Sequence, residues 1–414
     1  MKKKKVSFAM LLLAASALGV IAGYVVGEPI AVIKPLGTLF TRLLFMLVPG
    51  LVFFSIASSF ANIADIRKLS KWAGKIIGWF MLTTVIGTVI GTATGLFFKP
   101  GQGITLPDAS YEVTKVSAQN YIEWIPSNAF GALADGNIIQ IVFFAIFAGI
   151  AIVLMKNESH KDFLKTMLNA GQDLFLTIIK YVMYYAPIGI FALMASSVAA
   201  FKGSLLSEMS SFLTAYTVAF VLHIILVYFV MFWAITKLNP FTFFKKALPA
   251  LITAFATTSS AGTMPVSLQA TKDMGVDEEL ADFGIPLGVT FNMDSMALEI
   301  PLYIMLGMYA IGANPTVPQI LQFVLLGVLF SIGCAGVPGG GIAIAVILVN
   351  TFGLPVEIVG WIAAVFFYLD VTGTAINVWG DMISTTIAAK TEGMLDEKKY
   401  NSIAAVGDTN SKAA

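Results

Sequence analysis

The sequence is poor in the residues that build disulfides and metal clusters. It contains a single cysteine, Cys334, and two histidines, His160 and His223, in 414 residues. One thiol cannot form an intrachain disulfide, and these few residues lack the neighbours that a zinc or iron–sulfur centre needs. Disulfide frameworks and cysteine-rich metal centres are therefore excluded.

Charge is also scarce. Only 12% of the residues are charged, with a net charge of +1, whereas 57% are hydrophobic and the mean hydropathy is +0.85. Such a chain cannot cover itself with a water-facing surface, so it belongs among the lipids of a bilayer. The balanced charge gives no reason to expect nucleic acid, since the basic residues cluster at the ends of apolar segments.

The N-terminal segment allows two interpretations. Lysines at 2–5 precede an apolar run over residues 6–27, in which Ala15, Ser16 and Ala17 resemble a signal-peptide cleavage site. The run is long enough to span a membrane, and later segments also keep the chain there. These features favour an uncleaved first helix that starts in the cytoplasm.

Further uncharged stretches can each cross roughly 30 Å of hydrocarbon as a helix. They are residues 43–64, 76–98, 136–155, 181–201 and 209–236. From a cytoplasmic N-terminus, the basic clusters all fall on the inside, as the positive-inside rule requires of six spans. These clusters lie at 67–75, 156–165 and 237–246, and the polar segment 99–127 is then an external loop.

After residue 246, two long uncharged runs have polar or glycine-rich centres. The run 247–271 carries hydroxyl residues at 257–260, and the run 300–356 is interrupted at 313–315 and at 336–341. Backbone that leaves a helix at membrane depth is tolerated only where it is buried in protein or lines a cavity. We therefore expect two re-entrant helical hairpins.

The two interrupted runs show a weak internal repeat. Both contain Ala-Gly followed closely by Pro, at 261–265 and 335–338, and each precedes a segment with an asparagine and an aspartate. The aspartates are Asp294 and Asp381. Such repeats are typical of inverted-repeat transporters, whose half-helix ends meet near the membrane midplane.

The aspartates belong to a larger polar set. An ionised carboxylate at membrane depth costs roughly 2.5 to 3.5 kcal/mol, so each needs a cation or a hydrogen-bond donor. At helical spacing, Asn292, Met296 and Glu299 share one face. By the same rule the last helix presents a stripe of Asp370, Gly373, Thr374, Asn377 and Asp381. We interpret these residues as one buried polar site, and the alternative is a purely structural network of acids and amides.

Short motifs spread over nearly the whole chain support the first interpretation. They are Pro126-Ser127-Asn128 with 130–133, Ala186-Pro187-Ile188-Gly189, the serine-rich centre of the first hairpin, Pro286-Leu287-Gly288, Asn292-Met293-Asp294, 336–341 and 377–381. In these motifs the chain resembles the dicarboxylate/amino acid:cation symporter family, the glutamate-transporter homologues.

The resemblance implies an all-α polytopic membrane protein with eight transmembrane helices plus two re-entrant hairpins, inverted repeats and an elevator-type mechanism. It also implies a homotrimer in the cell (inner) membrane with both termini in the cytoplasm. The scaffold would comprise residues 1–65 (helices 1 and 2) and 99–201 (the external loop with helices 4 and 5). The mobile transport domain would comprise 66–98 (helix 3) and 202–392 (helices 6 to 8 with both hairpins). Residues 393–414, rich in Lys, Glu, Ser and Ala, are expected to form a cytoplasmic tail that becomes disordered.

The resemblance further implies sodium as the co-transported ion, held by three sets of ligands. The first set is the carbonyls of Gly288, Asn292 and Asn377 with the Asp381 carboxylate. The second is Asn292 and Asp294 with Thr83, Thr84 and the Phe80 carbonyl. The third is the carbonyls of Thr290, Ser331, Ile332 and Cys334 with the Met293 sulfur. Oxygen ligands suit a hard cation, and a carboxylate in each of the first two sets offsets its charge.

The implied substrate is a small amino acid held between the hairpin tips. Its α-carboxylate would meet Ser260, nearby backbone N–H groups and the Asn377 amide, where half-helix N-termini attract an anion. Its ammonium would pair with Asp370. The remaining wall of the pocket would consist of Thr258, Val337, Gly341 and Thr374.

Four residues depart from the family members that carry acidic substrates. Gly373 replaces an arginine that meets the substrate's side-chain carboxylate, and Glu299 replaces a tyrosine that packs beside this arginine. Met296 replaces a threonine that contacts the side chain, and Phe366 replaces an aspartate one turn before Asp370. Because the anion-specific end of the pocket is missing, we expect neutral amino acids first, cationic ones second and dicarboxylates third.

Several alternatives stay open from the sequence. An ionised Glu299 would favour a cationic substrate, a protonated one would be a hydrogen-bond donor or a proton-coupling group, and a packing role is the third choice. For the whole chain, the alternatives to a sodium-coupled amino-acid symporter are a sodium- or proton-coupled dicarboxylate/glutamate symporter, a passive channel, and an intramembrane aspartyl protease. A protease built on two aspartates needs neither paired hairpins nor hydroxyl clusters, so we expect no enzymatic activity.

Overall fold

The computed structural model describes residues 8–69, 73–104, 122, 124–201, 204–333 and 340–402. These residues are largely helical, and the β pairing among them is an isolated antiparallel bridge between Val276 and Leu395. Most of the predicted external loop lies outside the described residues. The fold is therefore all-α over the described ranges, as the sequence predicts.

The N-terminal half contains six helices within those ranges. They are α1 (Phe8–Val26), α2 (Lys34–Leu69), α3 (Ala73–Phe98), α4 (Ala129–Asp135), α5 (Ile138–Leu154) and α6 (Glu158–Phe201), with a 3-10 turn (Glu28–Ile33) between the first two. Here α2 packs along α5 and α6, and α1 also packs along α6. A Cβ on Gly189 would fall within 2.3 Å of the Phe40 side chain, a contact that only glycine allows.

The C-terminal half is built from shorter helices around one long helix. They are α7 (Ser204–His223), α8 (Phe232–Thr236), α9 (Pro240–Thr257), α10 (Ser260–Asp273), α11 (Glu278–Phe291), α12 (Asp294–Ala310), α13 (Val317–Gly333), α14 (Gly340–Phe352), α15 (Glu357–Glu392) and α16 (Glu397–Asn401). A π-helical turn (Ile224–Met231) joins α7 to α8. The long helix α15 packs against α3, α9, α10, α11, α12 and α14.

Five helical stretches among the described residues are long and apolar enough to cross a membrane. They are Glu28–Asn62, Gly74–Phe98, Glu158–Ser196, Met209–Thr236 and Glu357–Glu392. Shorter apolar helices accompany them, including the two segments of the second predicted hairpin, Val317–Ile332 and Gly341–Phe352. The prediction of a helical multi-pass membrane protein agrees with these lengths. The count of eight spans, the inverted repeats and the division into scaffold and transport domain stay predictions.

The first predicted hairpin is interrupted where its hydroxyl residues lie. Thr258 ends α9 in the left-handed conformation, with φ of 48°, and α10 begins two residues later at Ser260. The Ser259 hydroxyl accepts a hydrogen bond from the Gly262 N–H at 3.0 Å and so caps α10. The hydroxyl cluster thus satisfies helix ends that lipid cannot satisfy. The second hairpin has α13 and α14 on either side of residues 334–339, which lie outside the described residues.

The structure contains one further helix interruption that the sequence did not predict. Between α11 and α12, Asn292 (φ −126°, ψ 74°) and Met293 (φ −99°, ψ 72°) leave the helical conformation. The expectation that Asn292 shares a helix face with Met296 and Glu299 is therefore wrong. Met296 and Glu299 lie on α12, whereas Asn292 belongs to the interruption.

The beginning of the predicted disordered tail is folded. Residues 393–402 turn back along the chain, and the Asp396 N–H donates to the Gly275 carbonyl at 2.8 Å. The Tyr400 hydroxyl donates to a backbone carbonyl at the start of α9, also at 2.8 Å. The polar composition that suggested disorder instead provides donors to the base of the first hairpin. Residues 403–414 lie outside the described residues.

Two glycines of α3 give a matched test of the packing. A Cβ on Gly91 would lie 3.0 Å from the Leu298 Cα and closer still to the Leu298 carbonyl oxygen, whereas one on Gly78 would meet no atom within 4 Å. Because overpacking against backbone costs about 1–3 kcal/mol, Gly91→Ala should destabilise the protein. Gly78→Ala should be neutral or stabilise it by up to about 1 kcal/mol. Equal denaturation midpoints in detergent for both variants would contradict the α3–α12 contact.

Candidate functional site

Asn292, at the interruption between α11 and α12, connects three helices. Its Nδ2 donates to the Asp381 Oδ1 at 3.1 Å, and its Oδ1 accepts from the Thr83 hydroxyl at 3.1 Å. The same hydroxyl lies 3.1 Å from the Phe80 carbonyl oxygen. All four residues are fully or almost fully buried. The structure thereby brings together residues of the first two predicted ion sets.

Gly288 brings α11 directly against the Asp381 carboxyl group. A Cβ at this position would lie 2.5 Å from both Cγ and Oδ1 of Asp381, so a larger residue would displace the carboxylate. The Gly288 carbonyl accepts from the Asn292 N–H at 2.9 Å. Gly288, Asn292 and Asp381, three members of the first predicted set, are therefore neighbours.

Asp294 begins α12, and its two carboxylate oxygens have different surroundings. Its Oδ2 accepts from the Tyr228 hydroxyl at 2.6 Å and lies 3.4 Å from the His223 Nε2. Its Oδ1 is buried without a hydrogen-bond partner among the described residues, and so is the Thr84 hydroxyl. A buried oxygen left unsatisfied is destabilising, more so in a membrane. Both atoms have the chemistry of ligands for a hard cation.

His223 and Tyr228 are site residues that the sequence analysis missed. Both lie in the apolar stretch 209–236, and His223 is fully buried. The available signal was the presence of an imidazole inside a membrane-spanning segment. A polar ring at that depth marks a candidate site residue, and here its Nε2 lies 3.4 Å from the Asp294 carboxylate without hydrogen-bond geometry.

The third predicted set is described only in part, and its assembly stays a prediction. The Ser331 hydroxyl lies 3.1 Å from both the backbone nitrogen and the carbonyl oxygen of Met293. The Ile332 carbonyl is 3.5 Å from the Ser59 hydroxyl of α2, and Thr290 is exposed near the end of α11. Cys334, like Val337 of the predicted substrate wall, lies outside the described residues.

Asn377 connects α15 to the start of α12. Its Oδ1 accepts from the Ser295 N–H at 2.8 Å, and its Nδ2 lies 3.2 Å from the Met293 sulfur. Sulfur is a weak acceptor, so the Asn377 N–H would bind a carboxylate more strongly. This geometry suits the predicted contact with a substrate carboxylate.

The residues that distinguish this chain from acidic-substrate carriers form two contacts. A Cβ on Gly373 would lie 3.3 Å from the Glu299 Oε1, and Glu299 is 1% exposed with its Oε2 accepting from the Tyr303 hydroxyl at 2.6 Å. A Cβ on Gly341 would lie 2.8 Å from the Phe366 ring and 3.2 Å from the Met296 methyl group. Glu299 therefore lies between α12 and α15 and does not face lipid in this chain.

The other predicted substrate residues lie nearby on the same elements. The Thr374 hydroxyl donates to the Asp370 carbonyl at 2.7 Å, and Asp370 itself is half-buried. Thr258 and Ser260 are buried at the interruption of the first hairpin, whose two helices both pack on α15. The Thr258 hydroxyl donates to the Thr257 carbonyl at 2.8 Å, so its hydrogen bond stays within the hairpin.

A family model of the sodium:dicarboxylate symporter family matches residues 8–391 of the chain. The protein belongs to this family. The L-cystine uptake proteins TcyP of Bacillus thuringiensis (strain Al Hakam) and Bacillus anthracis are each 31% identical over 97% of this chain and 93% of their own length. The proton/sodium-glutamate symport protein of Geobacillus stearothermophilus is 28% identical over 96% of this chain and 97% of its own.

Membership of the symporter family confirms the predicted resemblance. The family and these relatives are transporters, and nothing in them indicates the enzymatic activity of the protease alternative. The polar residues buried around Asn292 thus belong to a symporter.

Asp381→Asn tests the first ion set of this symporter. The variant keeps an acceptor for the Asn292 amide but removes the charge that offsets a cation, so sodium affinity should fall about tenfold or more. Because substrate and ion stabilise the same arrangement, substrate affinity should fall with it. Sodium titrations with and without substrate measure both effects.

Asp282→Asn is the matched control, since Asp282 is an exposed acid whose partner is Lys272 at 2.7 Å. Its sodium affinity should match that of the parent. If sodium affinity in Asp381→Asn also stays at the parent value, the assignment of Asp381 to an ion site is wrong.

Proposed function

We propose that the protein is a sodium-coupled secondary active symporter for amino acids, with neutral substrates preferred over cationic and acidic ones. It works as a homotrimer of the cell membrane by elevator-type alternating access, with both termini in the cytoplasm. The observation that carries the sodium coupling is the pair of buried oxygens without partners, Asp294 Oδ1 and Thr84 Oγ1, beside the helix interruption.

In this proposal, sodium supplies the positive charge that offsets the negative charge of the buried carboxylates. Asp294 and Asp381 lie among amide, hydroxyl and carbonyl oxygens, which are the donors that hard cations select. A proton could neutralise a carboxylate but would leave the buried Thr84 oxygen without a partner. This difference favours sodium over protons, although one relative is named for both ions.

Coupling to the substrate follows from the residues that the two ligands share. Asn292 contacts Asp381, whereas Asn377 contacts Met293, so the interruption and α15 are joined from both sides. An ion that orders this interruption also orders Asn377, which is proposed to bind the substrate carboxylate. Each ligand then raises the affinity of the other by the same factor.

The substrate preference rests on Gly373 and Glu299. An acidic side chain would enter a site that has no guanidinium and instead holds a carboxyl group 3.3 Å from a Cβ built on Gly373. A buried carboxylate without its bidentate partner is strongly disfavoured. The relatives named for L-cystine, a substrate without net charge, support this preference, and the relative named for glutamate supports the dicarboxylate alternative.

The elevator motion is supported by the distribution of packing. In a first set, α1 and α2 pack along α6, and α5 packs along α2. A second set consists of α15, the helices α3, α9, α10, α11, α12 and α14 that pack against it, and α13, which packs on α3 and α12. The described ion and substrate residues lie in this second set, although α15 also contacts α1 and α6. Movement of the second set against the first would carry the whole site. Fluorescence distances between labels on α2 and α15, with and without sodium, would test this part of the proposal.

Asp370→Ala should abolish amino-acid binding and leave part of the sodium binding. The reason is that Asp370 is proposed to pair with the substrate ammonium, and removing one partner of a buried ion pair costs about 3–5 kcal/mol. Isothermal titration with alanine and with sodium measures the two effects, and Asp173→Ala, an exposed acid of α6, is the control. Tight binding of succinate or malate by the parent, neither of which has an ammonium, would contradict this role.

Competition against sodium-driven uptake in proteoliposomes tests substrate choice. Alanine, serine and glutamine should compete best, lysine and arginine less, and aspartate least, because the anion-specific end of the pocket is missing. In Glu299→Gln, lysine and arginine should compete less well, relative to the neutral amino acids, than they do in the parent. Aspartate as the strongest competitor in the parent would reverse the ranking, and an unchanged profile in Glu299→Gln would remove Glu299 from the pocket.

A further inference from the structure

The helix that carries His223 and Tyr228 contains a π-helical turn. α7 ends at His223, and the turn covers Ile224–Met231 before α8 begins. In an α-helix, residues five apart point about 140° away from each other. The wider turn of a π-helix, with i to i+5 bonding, brings such residues to the same side of the helix. His223 and Tyr228 accordingly share a face, with ring centroids 5.1 Å apart and ring planes at 86°.

That face meets Asp294. The Tyr228 hydroxyl is 2.6 Å from the Asp294 Oδ2 and 2.8 Å from the Ile376 carbonyl oxygen. The shorter distance favours the Asp294 carboxyl oxygen over the Ile376 carbonyl as the acceptor of the Tyr228 O–H. The His223 Nε2 lies 3.4 Å from the same oxygen, but neither ring nitrogen has hydrogen-bond geometry to a partner in the described part of the chain. His223 therefore acts mainly by packing its edge against Tyr228.

Two glycines on neighbouring helices make room for this arrangement. A Cβ on Gly380 of α15 would lie 2.8 Å from the Tyr228 hydroxyl and would collide with the Asp294 Oδ2. A Cβ on Gly87 of α3 would lie 3.4 Å from the His223 ring. The two rings thus reach Asp294 through a gap that both helices leave open.

We propose that Tyr228, packed against His223 by the π-helical turn, is a positioning residue for the sodium site at Asp294. The tyrosine hydroxyl occupies Oδ2, so that Oδ1 and the Thr84 hydroxyl are left for the ion. Without that hydroxyl the carboxylate can rotate, and the geometry of the ion ligands is lost. The inference rests on the proposed sodium coupling, and it assigns no role to Tyr228 in contacting the substrate.

The experiment is a sodium titration of thermal stability on the purified protein without substrate, with choline replacing sodium to hold ionic strength constant. An ion that binds the folded state raises the melting temperature as its concentration passes its dissociation constant. Tyr228→Phe should raise the half-maximal sodium concentration about tenfold, and His223→Phe about threefold. Tyr400→Phe, a buried tyrosine whose hydroxyl donates to the Asn239 carbonyl at 2.8 Å, is the matched control and should leave it unchanged.

The outcomes separate the inference from the proposed function. A parent protein without any stabilisation by sodium overturns both. A parent that responds, with a Tyr228→Phe curve that superimposes on it or shifts no more than Tyr400→Phe, overturns the positioning role alone. If Tyr228→Phe cannot be recovered folded, the His223→Phe curve decides: a shift beyond that of Tyr400→Phe supports the role, and superposition overturns it.

Discussion

The structure depends on a hydrogen bond between two buried polar side chains, the Asn292 amide and the Asp381 carboxylate. Asn292 lies where the chain leaves the helical conformation inside an apolar segment, and such a point is stable in a membrane only if its polar groups find partners within the protein. The bond to Asp381 and the bond from Thr83 provide them. The interruption is thereby bonded to α15 on one side and to α3 on the other.

Glycine is what allows that convergence. Helices in a membrane approach closely where small residues face each other, since apolar burial gives no net driving force among lipids. Gly288 admits the Asp381 carboxyl group, Gly380 admits the Asp294 carboxylate with the Tyr228 hydroxyl, and Gly373 leaves space beside Glu299. The first two glycines border the predicted ion ligands. The third leaves a carboxyl group of the protein itself beside the predicted substrate residues.

The predicted ion and substrate regions differ in how closely they follow the family resemblance. Around Asn292 the chain keeps the family's motif residues, which now have defined contacts. Around Gly373, where the resemblance leads us to expect a cationic side chain, the structure has the Glu299 carboxyl group 3.3 Å from the position of a Cβ. The two regions are linked through Asn377, which contacts Met293 and Ser295. In the proposed function, a different substrate is thus compatible with the same arrangement for coupling.

The sequence by itself determined the helical membrane class, the hydroxyl-rich interruption of the first hairpin and the shared face of Asn377 and Asp381. These features follow from local hydropathy and helical period, which depend on residues close in sequence.

The sequence did not determine the interruption at Asn292 and Met293, the π-helical turn, or the contact of Tyr228 with Asp294. Nor did it indicate that residues 393–402 pack under the first hairpin. Each of these depends on bonds between residues far apart in the chain, such as the 66 positions from Tyr228 to Asp294 and the 209 from Thr83 to Asn292. Local pattern shows that a polar group in an apolar segment needs a partner, but only the tertiary structure decides which partner lies across from it, because backbone conformation there yields to the hydrogen bond that burial requires.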